Sequence, residues 1–168
     1  FIEKKEPIAK IENILKQSIN ELSYSEKNKA PDSLYGNSLM VALPFLSEYV
    51  HKKHHINLNT QIDIEEDKLS YEMQADVYKI IYEAITSAIH NSNGRNFKVS
   101  IQDFKEKLWL TISDDSHSFA NFNNKINFDM AMYYIRQIAN KYKASVNTFD
   151  EQAKGSQLVI SIPLMDLN

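Results

Sequence analysis

Two carboxylates and a set of hydroxyl groups are the residues of this chain whose types and spacing could do chemistry. Asp114 and Asp115 follow an alternating apolar run and precede Ser-His-Ser-Phe at 116–119. A carboxylate at a strand end can accept hydrogen bonds from a ligand, although aspartate also favours plain turns. Glu83 and Ser87 are four residues apart in an apolar segment, so they would share one helix face. The pattern predicts either a polar site or an ordinary turn at the strand end.

The histidines offer a second kind of chemistry. His51 and His55 are four residues apart, which would let both bind a metal ion from one helix face. No acidic or thiolate partner stands beside them in the sequence, so a basic helix end that complements the helix dipole is the favoured interpretation. His117 lies within the serine-containing segment after Asp115, where a solvated loop histidine is favoured over a catalytic one.

The composition indicates one soluble globular domain. The 168 residues are 43% hydrophobic and 24% charged, which is enough for a single core. The net charge of -3 argues against nucleic acid or an anionic membrane as the main partner. Without cysteine the chain can form neither disulfides nor thiolate metal sites. No apolar run approaches the roughly 18 residues of a membrane span. Because the chain begins with Phe1, we expect a fragment of a longer protein.

Apolar periodicity predicts the elements that must position the polar residues. An amphipathic helix at 7–22 is followed by a polar linker at 23–33. Further helices are predicted at 37–55, 70–92 and 128–142, and strands at 56–64, 97–104, 108–114, 145–149 and 157–163. Pro44 would kink the first of these further helices or mark its late start. This order predicts an α+β sandwich, in which helices cover one face of a single mixed sheet.

The segment from Val77 to Phe119 resembles the ATP-binding domain of sensor histidine kinases. These domains belong to the GHKL ATPase superfamily and have the Bergerat fold, a two-layer α/β sandwich. The likeness extends over essentially the whole chain, and it points to the subgroup whose kinases often act on helix-turn-helix response regulators. The resemblance implies a histidine-kinase-like ATPase domain at 37–168, a linker at 25–36, and the end of a dimerisation-hairpin helix at 1–24.

The resemblance also implies roles for the polar residues. The family carries a helical Glu-x-x-x-Asn box, in which the glutamate acts on water or orients the site and the asparagine binds magnesium. Glu83 and Ser87 match these positions, so Glu83 is the candidate catalytic residue and Ser87 a weak candidate metal ligand. Asp114 matches the aspartate that bonds the adenine amino group. Gly155 and Ser156 match a Gly-Thr pair whose hydroxyl helps to hold adenine through a water molecule.

The sequence departs from the family at its glycines. Ser116 and Ser118 replace the two glycines of the Asp-x-Gly-x-Gly box. Glycine would permit positive φ there, whereas serine in that conformation costs about 1–2 kcal/mol and its side chain occupies ligand space. Asp129 and Ala131 are the best match to a second glycine motif, where a carboxylate would repel phosphates. We therefore expect a preserved adenine side and a lost phosphate side.

Two functions follow from the resemblance. The favoured one is a degenerate catalytic domain, a pseudokinase with weak or no ATP binding, that acts in two-component signal transduction through protein contacts. The alternative is an active module that uses ATP and Mg²⁺ to transfer phosphate to a histidine and then to a response regulator. Both imply a response regulator and a second copy of the parent protein, bound through the N-terminal helix, as partners. We expect a cytoplasmic fragment without nucleic-acid or membrane contact, and the cytoplasmic part of a membrane-bound sensor is one origin that fits.

Overall fold

The structure is a computed structural model that describes residues 38–120 and 130–164. Its elements, in chain order, are α1 (Leu39–His54), β1 (Asn57–Asp63), α2 (Tyr71–Asn91), β2 (Asn96–Phe104), β3 (Lys107–Asp114), α3 (Met130–Lys141), β4 (Ser145–Glu151) and β5 (Gly155–Pro163). A short 3-10 turn, Glu66–Lys68, precedes α2. The predicted order of elements is confirmed over this part of the chain. The predicted helix end at 1–24 and linker at 25–36 lie outside it.

The five strands form one mixed sheet in the order β1-β2-β3-β5-β4. Only β1 and β2 run parallel, and their connection passes through α2, as a parallel crossover requires. The other neighbours are antiparallel. Alternate residues of β2, β3 and β5 are buried, and most of the residues between them are half-buried or exposed. This confirms the predicted α+β sandwich with one helix-covered face.

The helix α2 has the broad apolar face that the sequence predicts. Its buried side chains include Met73, Val77, Ile80, Ile81, Ala84, Ile85 and Ala88. Ser70 begins the helix, and its side chain accepts a hydrogen bond from the Met73 N–H at 3.2 Å. Among the helices of the described ranges, none combines the length and the apolar character needed to cross a membrane.

The helix α1 runs through Pro44, so the predicted late start is wrong. It begins at Leu39, and Pro44 lies on its exposed side. A proline inside a helix costs about 3 kcal/mol, because it removes a backbone hydrogen bond and crowds the preceding turn. Burial of each large aliphatic side chain contributes about 1.5–3 kcal/mol in return. Four such side chains outweigh the proline: Leu39, Leu43, Leu46 and Val50.

The strand register brings the candidate site residues together. Asp114 lies opposite Phe97 of β2 and opposite Ser156 of β5. A two-residue turn at Lys105 and Glu106, with φ values of 49° and 59°, connects β2 to β3. Turns of this kind fix the register of a hairpin. This turn sets Asp114 opposite Phe97, whereas the antiparallel pairing of β3 with β5 sets it opposite Ser156.

Candidate functional site

Asp114 is a buried carboxylate at the end of β3. Its side chain continues the core-facing row of that strand, and only 4% of the residue is exposed. Oδ1 accepts hydrogen bonds from the Ser156 N–H at 3.3 Å and from the Ser156 hydroxyl at 2.5 Å. Oδ2 accepts from the N–H groups of Ser116 and Ser118 at 3.2 and 3.3 Å, and from both of their hydroxyls.

These donors fill the acceptor capacity of the Asp114 carboxylate. Six donors converge on two oxygens that have about four lone-pair positions between them. Burial alone would raise the pKa of Asp114. The hydrogen bonds from Ser116, Ser118 and Ser156 outweigh burial and hold that pKa below its ordinary value of 3.8. The carboxylate is therefore ionised at neutral pH, and its strongest partners belong to the chain itself.

The serine hydroxyls beside Asp114 belong to a longer chain of hydroxyl groups. The Oγ atoms of Ser116 and Ser118 lie 3.0 Å apart, and Ser118 Oγ lies 2.6 Å from Ser92 Oγ. Ser92 is the C-terminal cap of α2 and donates to the Ala88 carbonyl at 2.8 Å. Each hydroxyl has one proton, and those of Ser116 and Ser118 go to Asp114 while that of Ser92 goes to the Ala88 carbonyl, so these Oγ–Oγ contacts are close packing and not further hydrogen bonds. This hydroxyl chain brings the end of α2 against the loop after β3. The sequence gives no signal for Ser92, which precedes Ser118 by 26 residues.

The backbone at Ser116 and Ser118 is not in the left-handed conformation that the family's glycines led us to expect. Among the non-glycine residues that the structure describes, positive φ occurs at His55, Lys105, Glu106 and Lys143 only. The prediction that Ser116 and Ser118 are strained by a left-handed backbone conformation is therefore wrong. The loop instead uses ordinary backbone conformations, with which both serine N–H groups and both hydroxyls reach Asp114.

Two glycines allow the chain to approach Asp114 closely. Gly155 has a φ of +88°, and a Cβ on it would lie 2.0 Å from the Asp114 carbonyl oxygen. A Cβ on Gly94 would lie 2.9 Å from Ser116 Oγ and 3.1 Å from Asp114 Oδ2. Gly155 belongs to the residues that the sequence placed at the site. Gly94 does not, because in the sequence it looks like a turn glycine after a helix.

Asp115, unlike Asp114, has a purely structural role, because it bonds to the backbone at the start of β2. Its Oδ1 accepts from the N–H groups of Arg95 and Asn96 at 2.9 and 3.1 Å, and Oδ2 accepts from the Asn96 side-chain amide at 2.6 Å. Burial alone raises the pKa of Asp115, but these hydrogen bonds hold it below its ordinary value. The turn interpretation of the paired aspartates therefore applies to Asp115, which fixes the entry into β2.

Glu83 and Ser87 lie one turn apart on α2, as their spacing predicts. Glu83 is buried, with 3% of its surface exposed, and Ser87 is half-buried. Ser87 Oγ accepts a hydrogen bond from the Asn91 side-chain amide at 3.1 Å. Magnesium prefers oxygen ligands in near-octahedral geometry at about 2.0–2.1 Å. The Ser87 hydroxyl is a neutral oxygen on a short side chain and already accepts one hydrogen bond, so it is a poor match to a magnesium ligand.

No second metal site emerges from the histidines. His51 and His55 lie at the basic C-terminal end of α1, where His55 has a left-handed cap conformation. Within residues 38–120 and 130–164, no group of three or more His, Cys, Asp or Glu side chains could hold a metal ion. His117 is exposed, and its Nδ1 bonds to the Asp150 carboxylate, which raises the pKa of His117 above 6.5. This pair connects the serine-containing loop to β4.

The second glycine motif is described only in part. Asp129 lies outside the described residues, whereas Ala131 is buried in the first turn of α3. Repulsion of phosphate by Asp129 therefore stays a prediction.

Sensor histidine kinases are the curated relatives of this chain, although no family model matches it. Sensor histidine kinase YxjM of Bacillus subtilis is 23% identical over 163 residues. Oxygen sensor histidine kinase NreB of Staphylococcus carnosus is 19% identical over 157 residues. Each match covers 94% of this chain, but only 38% of YxjM and 45% of NreB. The chain thus spans less than half the length of these relatives.

Comparison with solved structures gives the fold of the same kind of domain. The blue-light-activated histidine kinase of Erythrobacter litoralis EL346 superposes with a TM-score of 0.70 at 18% sequence identity. The match covers 99% of this chain and 63% of that one. The resemblance found in the sequence is confirmed: the chain has the fold of a sensor histidine kinase catalytic domain of the GHKL type.

Proposed function

We propose that this chain is a degenerate catalytic domain of a two-component sensor histidine kinase, which binds ATP weakly or not at all and signals through protein contacts. The observation that supports this proposal most strongly is the state of Asp114. The residue that matches the adenine-binding aspartate of the family is saturated by Ser116, Ser118 and Ser156. An adenine amino group at Asp114, which the sequence leads us to expect, would have to compete with these serines for the carboxylate.

Exchange of these donors for an adenine amino group would yield little free energy. A hydrogen bond to a charged group contributes about 1.5–3 kcal/mol, and a buried donor left without a partner costs about 1–3 kcal/mol. An amino group that displaced the Ser118 hydroxyl would gain the first, while that hydroxyl would exchange its charged acceptor for the neutral Ser92 Oγ, 2.6 Å away. Ser118 is 5% exposed, so water does not readily provide a better acceptor. The base contact therefore supplies little net affinity.

The residues that match the family's phosphate-binding positions also disfavour nucleotide binding. Ser87 stands where the family has an asparagine that binds magnesium, and its hydroxyl is engaged with Asn91. Asp129, if it lies where the second glycine motif belongs, adds a negative charge near the phosphates. Neither side of the site then favours a metal-bound triphosphate.

Protein contacts remain as the means of signalling. The names of the relatives support a response regulator and a second copy of the parent protein as partners. Met40, Val41 and Phe45 are each about half exposed on α1. Neighbouring exposed apolar side chains are typical of surfaces that bind other proteins. We place this part of the parent protein in the cytoplasm, where response regulators are found.

An active kinase module is the second candidate function. The ionised Asp114 and the buried Glu83 are retained, and an active enzyme would need both together with ATP and Mg²⁺. Phosphoryl transfer would then rest on positioning and charge neutralisation. The lost amide at Ser87 and the serines around Asp114 disfavour this candidate.

Two measurements on the full-length parent protein distinguish these functions. We expect no incorporation of labelled phosphate from Mg²⁺-ATP into the protein. We also expect the affinity for its response regulator, measured by calorimetry, to be the same with and without Mg²⁺-ATP. Autophosphorylation, or regulator binding that requires ATP, would contradict the proposed function and establish the alternative.

A further inference from the structure

We propose that the hydroxyls of Ser116 and Ser118 act as intramolecular ligands of Asp114 and thereby determine that this site excludes adenine. The inference deepens the proposed function and rests on it, because the adenine contact of Asp114 is itself inferred from the family. It makes the two serines specificity-determining residues, rather than neutral replacements of glycine.

The hydroxyls of Ser116 and Ser118 both donate to Oδ2 of Asp114, as do the N–H groups of the same residues at 3.2 and 3.3 Å. Glycine at these positions would keep the two backbone bonds and remove the two from the hydroxyls. Oδ1 would be unaffected, because its donors both come from Ser156. The serines therefore decide whether Oδ2 is available to a ligand.

Neighbouring groups hold the two hydroxyls in place. Ser118 Oγ is buried and lies 2.6 Å from Ser92 Oγ, which is itself bonded to the end of α2. Ser116 Oγ lies 3.0 Å from Ser118 Oγ. The close Oγ–Oγ packing restricts where these side chains can move. A ligand amino group therefore competes with two packed hydroxyls at Oδ2, and not with one exposed side chain.

Adenosine is the probe that isolates this effect, because it carries the base without phosphates or metal. We expect wild-type protein to show no measurable binding by calorimetry. The Ser116→Ala/Ser118→Ala variant should bind measurably, with an affinity at least about tenfold above the detection limit that wild type does not reach, the factor expected for one hydrogen bond to a charged group. Purine riboside lacks the 6-amino group, so the same variant should not gain affinity for it. Ser100→Ala, on β2 and outside the hydroxyl chain, serves as the matched control and should not gain either.

Each other outcome has a defined meaning. If the alanine variant is folded by circular dichroism and gains no affinity for adenosine, the inference is overturned. A gain in Ser116→Gly/Ser118→Gly but not in the alanine variant would also overturn it, because side-chain bulk would then be the cause. If loss of the buried Ser118 hydroxyl prevents folding, Ser116→Ala alone tests the same claim at the half-buried serine, with a smaller gain expected. Tight binding of Mg²⁺-ATP by wild type would instead refute the proposed function, so the two failures are distinguishable.

Discussion

Ser156 connects Asp114 to the loop after β3 through two hydrogen bonds of its hydroxyl. Its hydroxyl donates to Asp114 at 2.5 Å and accepts from the Phe119 N–H at 2.9 Å, and the residue is 1% exposed. Asp114, in turn, gathers backbone and hydroxyl donors from three serines. At the scale of single residues, the site is thus a buried anion with a complete set of internal partners.

Removal of the Ser156 hydroxyl should destabilise the fold. Ser156→Ala leaves the Phe119 N–H buried without this acceptor and removes a strong donor from Asp114. We expect the free energy of unfolding in urea to fall by about 1–3 kcal/mol. Ser100→Ala is the control and should change it by less than about 0.5 kcal/mol. An unchanged unfolding midpoint in Ser156→Ala would contradict the hydrogen-bond geometry at β5.

The ionised state of Asp114 should give stability a specific pH dependence. Its pKa is lower in the folded chain than the ordinary 3.8, so its contribution is fully present above about pH 3.8 and is lost as pH falls through the folded value. We expect Asp114→Asn to be less stable than wild type at neutral pH, and the difference to shrink below pH 3.8. Asp115 titrates in the same direction in both proteins, so the comparison cancels its effect. A constant difference from neutral pH to strongly acidic pH would contradict the assignment.

Gly155 allows the β4–β5 hairpin to pack closely against the end of β3. This glycine combines a positive φ with a contact that leaves no room for a side chain beside Asp114. Gly94 differs, because a Cβ there would meet side-chain oxygens of Ser116 and Asp114, which can move, and not a backbone atom.

We therefore expect Gly155→Ala to cost more than Gly94→Ala. The left-handed conformation alone costs about 1–2 kcal/mol in alanine, and the clash with the Asp114 carbonyl forces a shift of β5 in addition. Urea unfolding should show a loss of more than about 2 kcal/mol for Gly155→Ala and a smaller loss for Gly94→Ala. Equal losses in the two variants would contradict the close approach of β5 to β3.

The sequence predicts the order of the elements, but not most of the long-range contacts at the site. The element order follows from periodicity, because each apolar face must be buried. The contact of Asp114 with Ser156 spans 42 residues and was reached through the family resemblance, not through spacing. Ser92 and Gly94 approach the site only through the fold, so their local sequence gives no signal. The expected strain at Ser116 and Ser118 was wrong, because a glycine in relatives does not fix φ in a chain that lacks it.

Nuclear magnetic resonance of the ¹⁵N-labelled chain, titrated with Mg²⁺-ATP, tests most directly whether the chain itself occupies the nucleotide site. The amides of Ser116 and Ser118 bond to Oδ2 of Asp114 and that of Ser156 bonds to Oδ1, so their signals report on both carboxylate oxygens. We expect them to show no saturable shift as the nucleotide is added. Saturable shifts of these three amides, with an affinity in the micromolar range, would contradict the proposal that the serines keep ATP out.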